Sequence, residues 1–240
     1  MTTFSESQWA KAEFIQEYRN NADIYIVERK RMLSIVKSFY VHFIKKNRKK
    51  SVLDLGCGDG IIIYELLKVD SSISATLLDG SHEMLKKAEE RLKEFENVRY
   101  VNASFQEIMR KNILDGTYDL AVSSLAIHHL TMKEKKALFR NIFAHLHAGG
   151  YFLDVDCVLA PADTLEQWYL SLWKEWIDEK ITSLGIEGGH YDDIIRRYKD
   201  NKDNKPDTLE DQLNALKEIG FADVDCYYKY GIFSIYGGRK

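Results

Sequence analysis

The sequence predicts an α/β fold built on a mostly parallel sheet. Three observations point there. Between Ser51 and Asp156 short apolar segments alternate with amphipathic ones. Strand–helix alternation of this kind favours parallel strands joined by right-handed crossovers. The apolar segments are nearly continuous, as in strands covered on both faces. The first of them runs into "VLDLGCGDG", Val52 to Gly60, with glycines at 56, 58 and 60.

The chain has 240 residues and a net charge of −3, with 45% hydrophobic and 30% charged residues. That length supports a hydrophobic core without disulfides or structural metals. The balanced charge gives no electrostatic case for nucleic acid or an anionic membrane. Cys57, Cys157 and Cys226 are an odd number spread along the chain, which fits a reducing compartment better than a disulfide framework. The N-terminus "MTTFSESQWAKAEF" has neither a basic nor an apolar leader region. No apolar run approaches the roughly 20 residues of a membrane span. The expected location is the cytoplasm.

Taken in order, residues 1–50 read as a helical cap. "WAKAEFIQEYRN" and "DIYIVERKRMLSIVKSFYVHFIKK" carry apolar residues at three- and four-residue steps. The basic run Lys45 to Lys50 reads as a solvated helix end, where cations suit the dipole. Residues 51–157 form the core. Its strands are "SVLDLG", "ISATLLD", "NVRYVNA", "YDLAVSS" and "GYFLDVD". Its helices are "IIIYELLKVD", "SHEMLKKAEERLKEF" with Ser81 as N-cap, and "TMKEKKALFRNIFAHLH", stopped by Gly149-Gly150. Residues 158–206 break the alternation and read as a helical insertion. Its helix places Leu165, Trp168, Tyr169, Leu172, Trp173, Trp176 and Ile177 on one stripe, suited to core packing or to a pocket wall. Residues 207–240 add a helix and two aromatic strands, which complete the sheet.

A glycine turn between a strand end and a helix N-terminus lets a ligand reach the backbone. The spacing here is G-x-G-x-G, not the G-x-G-x-x-G of nicotinamide sites. Asp54 stands two residues before the first glycine. A carboxylate there favours a cationic group over a pyrophosphate. Asp79 ends the second strand, where its oxygens can accept both hydroxyl hydrogens of a ribose. Gly80 keeps the backbone open, and Met84 is placed to cover an adenine face. Asn102, Ala103 and Ser104 end the third strand, where an amide or backbone group can meet an adenine edge. A positive end, a ribose and an adenine without a phosphate describe S-adenosyl-L-methionine.

The block "VLDLGCGDG … LLDGSHEML … VNAS … YDLAVSSLAIHHL … LHAGGYFLDVD" resembles the class I S-adenosylmethionine-dependent methyltransferases over residues 51–157. The resemblance implies a seven-stranded sheet of order 3-2-1-4-5-7-6, strand seven antiparallel, with helices on both faces. It implies a cofactor site of Asp54, Gly56, Cys57, Gly58, Asp79, Gly80, Met84, Asn102, Ala103, Ser104 and Ser123, with Cys57 giving its backbone. Many relatives have an acidic residue where this chain has Asn102. Some small-molecule O-methyltransferases of the family carry a basic histidine near "AIHHL". His128 and His129 are the candidates, His129 being taken as the catalytic residue. No closed metal-ligand set is expected. Tyr18, Tyr25 and Arg29 belong to helices that often close over the cofactor in this family.

The implied reaction is in-line methyl transfer to a small-molecule acceptor. The Asn/Asp-Pro-Pro-Tyr/Phe signature of nucleic-acid amino-methylating relatives is absent, "SSLA" standing in its place. The tail is also similar to that of carboxy-S-adenosylmethionine synthase, whose glycine loop departs from G-x-G-x-G. A SAM-modifying enzyme and a non-catalytic SAM-binding protein are the alternatives. The acceptor is not encoded in any motif, and oligomeric state is open, a homodimer included.

Overall fold

The computed structural model describes residues 7–111, 113–186, 191 and 193–240. The first six residues of the expected cap, and residues 187–190 and 192 of the expected insertion, lie outside the described residues. Seven strands form one sheet in the order β3-β2-β1-β4-β5-β7-β6. They are β1 (Ser51–Leu55), β2 (Ser74–Asp79), β3 (Val98–Asn102), β4 (Tyr118–Ser124), β5 (Leu146–Cys157), β6 (Ala222–Tyr230) and β7 (Phe233–Arg239). The first five run parallel, while β7 is antiparallel to both β5 and β6. The order and orientation are those the family resemblance implies.

The strands at the centre are apolar because both faces are covered. One face carries α1 (Ala12–Tyr25), α2 (Arg29–Phe43), α3 (Ile61–Leu67), α4 (His82–Leu92), α7 (Asp163–Leu184) and α8 (Ile194–Asp200). The other carries α5 (Phe105–Arg110), α6 (Met132–His145) and α9 (Leu209–Ile219). Side chains alternate between these two clusters along each strand, with Val52 on the first face and Leu53 on the second.

Three expectations need correction. The segment 23–46 is not one helix. The chain breaks after Tyr25, and Glu28 takes a left-handed backbone with φ 50°. The bend lets Ile24, Ile26 and Val27 all bury. Helix α5 was not expected, although its capping box is legible as Ser104 and Glu107, each satisfying the other's backbone N–H. The aromatic stripe of α7 is narrower than its spacing suggests. Trp173 and Ile177 are buried, whereas Trp168 is 55% exposed and Leu165 also faces solvent.

The basic run after α2 serves the fold. Lys45 donates to the Val69 carbonyl, and Lys50 pairs with Asp70 at 2.9 Å. Lys135 of α6 is wholly buried and bonds Asp207 at 2.6 Å and the Lys205 carbonyl at 2.9 Å. A buried ammonium needs such partners. Here they fix the loop that enters α9.

Candidate functional site

Strand β1 lies between β2 and β4, so the chain leaves it for opposite sides of the sheet. This is where open α/β sheets form a ligand crevice, beyond the C-terminal strand ends. The glycine turn fills the head of that crevice. Gly56 has φ +66°, and a Cβ on it would sit 2.5 Å from the Ala126 Cβ. Gly58 has φ +54° and open space where a Cβ would be. Gly56 is therefore required by the fold, whereas Gly58 keeps the crevice clear. The turn is stitched to β2 by the Gly56 and Cys57 N–H groups, which donate to the Leu78 carbonyl at 2.7 and 3.0 Å.

Asp79 faces the crevice from the end of β2. Its two oxygens accept from the backbone N–H of Gly58 at 2.9 Å and of Ser81 at 2.7 Å. These bonds fix the carboxylate and leave each oxygen able to accept once more. Burial raises its pKa to about 6, against the pull of those two N–H groups. Ser81, not Asp79, caps α4, its hydroxyl accepting from the Met84 N–H.

Asp54 is 1% exposed, and neither carboxylate oxygen has a hydrogen-bond partner. Burial first, then the nearby charges of Asp79 and Asp59, hold its pKa well above the ordinary carboxylate range. A carboxylate in this state lacks a cation. It lines a side cavity that Tyr18, Arg29 and Met84 also line. Asp59 ties the turn to two helices, bonding Arg19 of α1 at 3.1 Å and Arg91 of α4 at 2.5 Å.

Three adjoining cavities meet at Tyr18 and Leu125, which line all of them. The crevice has Gly80, Met84, Ala103 and Ser104 in its wall. A third cavity of about 1080 Å3 opens between α1, α7 and α8. Leu125 has φ 51°, a strained backbone for a residue with a side chain. Strain of this kind gathers at functional sites.

The site brings together most of the expected residues. Asp54, Gly56, Cys57 and Gly58 line the side cavity, Gly56 and Gly58 also facing the crevice with Asp79, Gly80, Met84, Ala103 and Ser104. Two expected residues are not brought in. Asn102 is exposed, and its amide donates to the carbonyls of Asp79 and Gly80, bracing the end of β2. Ser123 is buried, its hydroxyl donating to the Leu55 carbonyl at 2.8 Å. Its neighbour Ser124 lines the crevice instead.

The two histidines are divided differently from the sequence expectation. An indole N–H can only donate, so the 2.9 Å bond from Trp9 Nε1 occupies the acceptor nitrogen Nε2 of His129. Its Nδ1 faces the Asp203 carbonyl at 3.3 Å. Burial, then the adjacent His128, push its pKa well down. His128 is held by Asp156, whose oxygens meet its backbone N–H at 2.7 Å and its Nδ1 at 2.5 Å. The carboxylate holds a proton on Nδ1, and Nε2 has no hydrogen-bond partner among the described residues where His128 lines the third cavity. Strand pairing explains the meeting. Ser124 lies opposite Val155, so the turn after β4 reaches Asp156.

Residues 52–150 match the model of a methyltransferase domain family. Solved structures agree on its fold. An O-methyltransferase family protein from Burkholderia thailandensis superposes with a TM-score of 0.68 at 14% identity, over 98% of this chain and 62% of its own. The magnesium protoporphyrin IX methyltransferase of Synechocystis PCC 6803, solved with bound SAH, gives 0.66 at 14%, over 97% of this chain and 96% of its own. In sequence, the chain is similar to a carboxy-S-adenosyl-L-methionine synthase of Helicobacter pylori strain G27. It is 24% identical over 212 residues, 87% of this chain and 84% of that one. The matched residues end before α7 and α8, the helices that wall the third cavity.

Proposed function

We propose that this protein transfers a methyl group from S-adenosyl-L-methionine to a small-molecule acceptor. The observation that carries the reading is Asp54, a buried carboxylate with no partner among the described residues, beside a glycine-rich turn and a second, half-buried carboxylate. These residues fit the group. Asp54 answers an ammonium, Asp79 answers vicinal hydroxyls, and Met84 with Ala103 and Ser104 form a slot for a flat base. Bound there, S-adenosyl-L-methionine supplies a sulfonium methyl carbon already activated for displacement.

The chain's own contribution is alignment and exclusion of water, effects worth roughly 7–11 kcal/mol in well-oriented systems. Tyr18 and Leu125, at the junction of the cavities, hold the point of transfer. His128, oriented by Asp156, is placed to take a proton from an acceptor hydroxyl at Nε2. His129, with its acceptor nitrogen on Trp9, braces the N-terminal turn. In this reading residues 51–157 and 207–240 supply the cofactor site, while the described residues of 1–50 and 158–206 enclose the acceptor.

Calorimetric titration with the demethylated cofactor S-adenosylhomocysteine tests the proposal. Binding in the micromolar range supports it, and no heat at millimolar ligand ends it. A second reading, modification of the cofactor itself, is favoured by the similarity to carboxy-S-adenosyl-L-methionine synthases over 87% of the chain. Mass spectrometry of the nucleoside that copurifies separates the two. A carboxylated cofactor supports the second reading. The open third cavity favours turnover over mere binding.

A further inference from the structure

Resting on the methyl-transfer reading, we infer that the acceptor is an uncharged aromatic hydroxy compound bound in the third cavity. The walls are rings: Trp9, Phe14, Tyr25, Trp173, Tyr198 and Phe233. They are set edge-to-face in two groups. Trp9 meets Phe14 at 5.0 Å and 87°, while Trp173 meets Tyr198 at 5.3 Å and Phe233 at 5.4 Å, both at 84°. Trp173 is further locked by its indole N–H, which donates to the Tyr25 carbonyl at 2.8 Å. Rings held this way cannot collapse into the space between them, and they present quadrupoles suited to another aromatic ring.

Charge argues for neutrality. Arg197 at the mouth is paired with Glu17 at 3.1 Å, and Glu17 also accepts from the Tyr25 hydroxyl at 3.0 Å. The carboxylate behind His128 is spent on that residue. Among the described residues lining the cavity, an ionic acceptor would meet no free counter-charge to offset the cost of its desolvation. What the cavity does offer are polar atoms without partners among the described residues. These include Nε2 of His128 and the hydroxyls of Tyr18 and Tyr198. A hydroxyl on the bound ring can donate to the imidazole and accept from a tyrosine. The cavity joins the crevice at Tyr18 and Leu125, so that hydroxyl stands on the side from which a methyl group arrives.

The test uses the full chain saturated with S-adenosylhomocysteine and three probes: naphthol, its saturated analogue decalol, and naphthoate. Binding is followed by quenching of tryptophan fluorescence. Naphthol should bind on the order of tenfold tighter than decalol, the factor a ring–ring contribution of about 1.4 kcal/mol supplies. Naphthoate should bind more weakly than naphthol. Tyr198→Leu should weaken naphthol by about tenfold, and Tyr198→Phe by no more than about threefold. Neither variant should change S-adenosylhomocysteine affinity. Equal binding of naphthol and decalol, tighter binding of naphthoate, or no binding of any probe overturns the inference and leaves the methyl-transfer reading standing. Failure of S-adenosylhomocysteine itself to bind overturns both.

Discussion

Replacing Asp54 should separate stability from binding in opposite directions. Its carboxylate is 1% exposed on a central strand and both oxygens lack partners. A buried polar group left unsatisfied costs about 1–3 kcal/mol. Asp54→Leu keeps the branched shape and removes that cost, less about 1 kcal/mol for the added bulk. The ligand-free variant should therefore gain up to about 2 kcal/mol, or up to about 8 °C in Tm for a chain of this size. The pH dependence has a definite sign. The folded pKa of Asp54 is raised, so its proton is lost more easily from the unfolded chain, and the penalty grows as pH rises above the ordinary carboxylate range. The advantage of Asp54→Leu should be larger at pH 8 than at pH 4. Binding moves the other way. Asp54→Asn keeps the size and removes the charge that an ammonium would meet. Such a loss in a buried pair costs about 2–5 kcal/mol, at least about 30-fold in affinity for S-adenosylhomocysteine. Thermal unfolding and calorimetry read the two effects. A lower Tm for Asp54→Leu with unchanged affinity for Asp54→Asn would refute the reasoning.

Other expectations follow from neighbouring residues. Asp79, with a pKa raised to about 6, must be ionised to accept ribose hydroxyls, so affinity for S-adenosylhomocysteine should fall about tenfold between pH 7.5 and pH 5 and stay flat above. A pH-independent affinity over that range would remove Asp79 from the site. Gly56→Ala should destabilise by at least about 2 kcal/mol, since the new Cβ meets Ala126 and the backbone is left-handed. Denaturant unfolding gives the value. His128→Asn should lower turnover by about 100-fold or more without changing cofactor affinity, whereas His129→Asn should mainly loosen the N-terminal turn. Equal losses of turnover in both variants would deny the division drawn between them.

The sheet and the crevice were legible because their signals are local. Apolar runs, a glycine turn and carboxylates at two strand ends each sit within a few residues of sequence. Strand order and direction followed from the family resemblance, and the observed pairing agrees. The misreadings arise where tertiary contacts decide. Asn102 looked like a contact to the base, and what the sequence does not show is that its amide nitrogen is engaged by two carbonyls of the preceding strand end. Ser123 and Ser124 differ only in strand parity, and parity alone puts one inside the sheet and the other on the crevice. The histidine pair could not be divided from sequence, since their roles depend on Trp9, 120 residues away from His129, and on Asp156, 28 residues from His128. The break at Glu28 carries no glycine or proline to announce it.

The most direct test is a crystal structure with S-adenosylhomocysteine. Both ribose hydroxyls should lie on the Asp79 carboxylate, the amino group on Asp54, and the sulfur should face Tyr18 and the ring-walled cavity. A nucleoside seated elsewhere, or turned so that its sulfur points away from that cavity, would contradict the account.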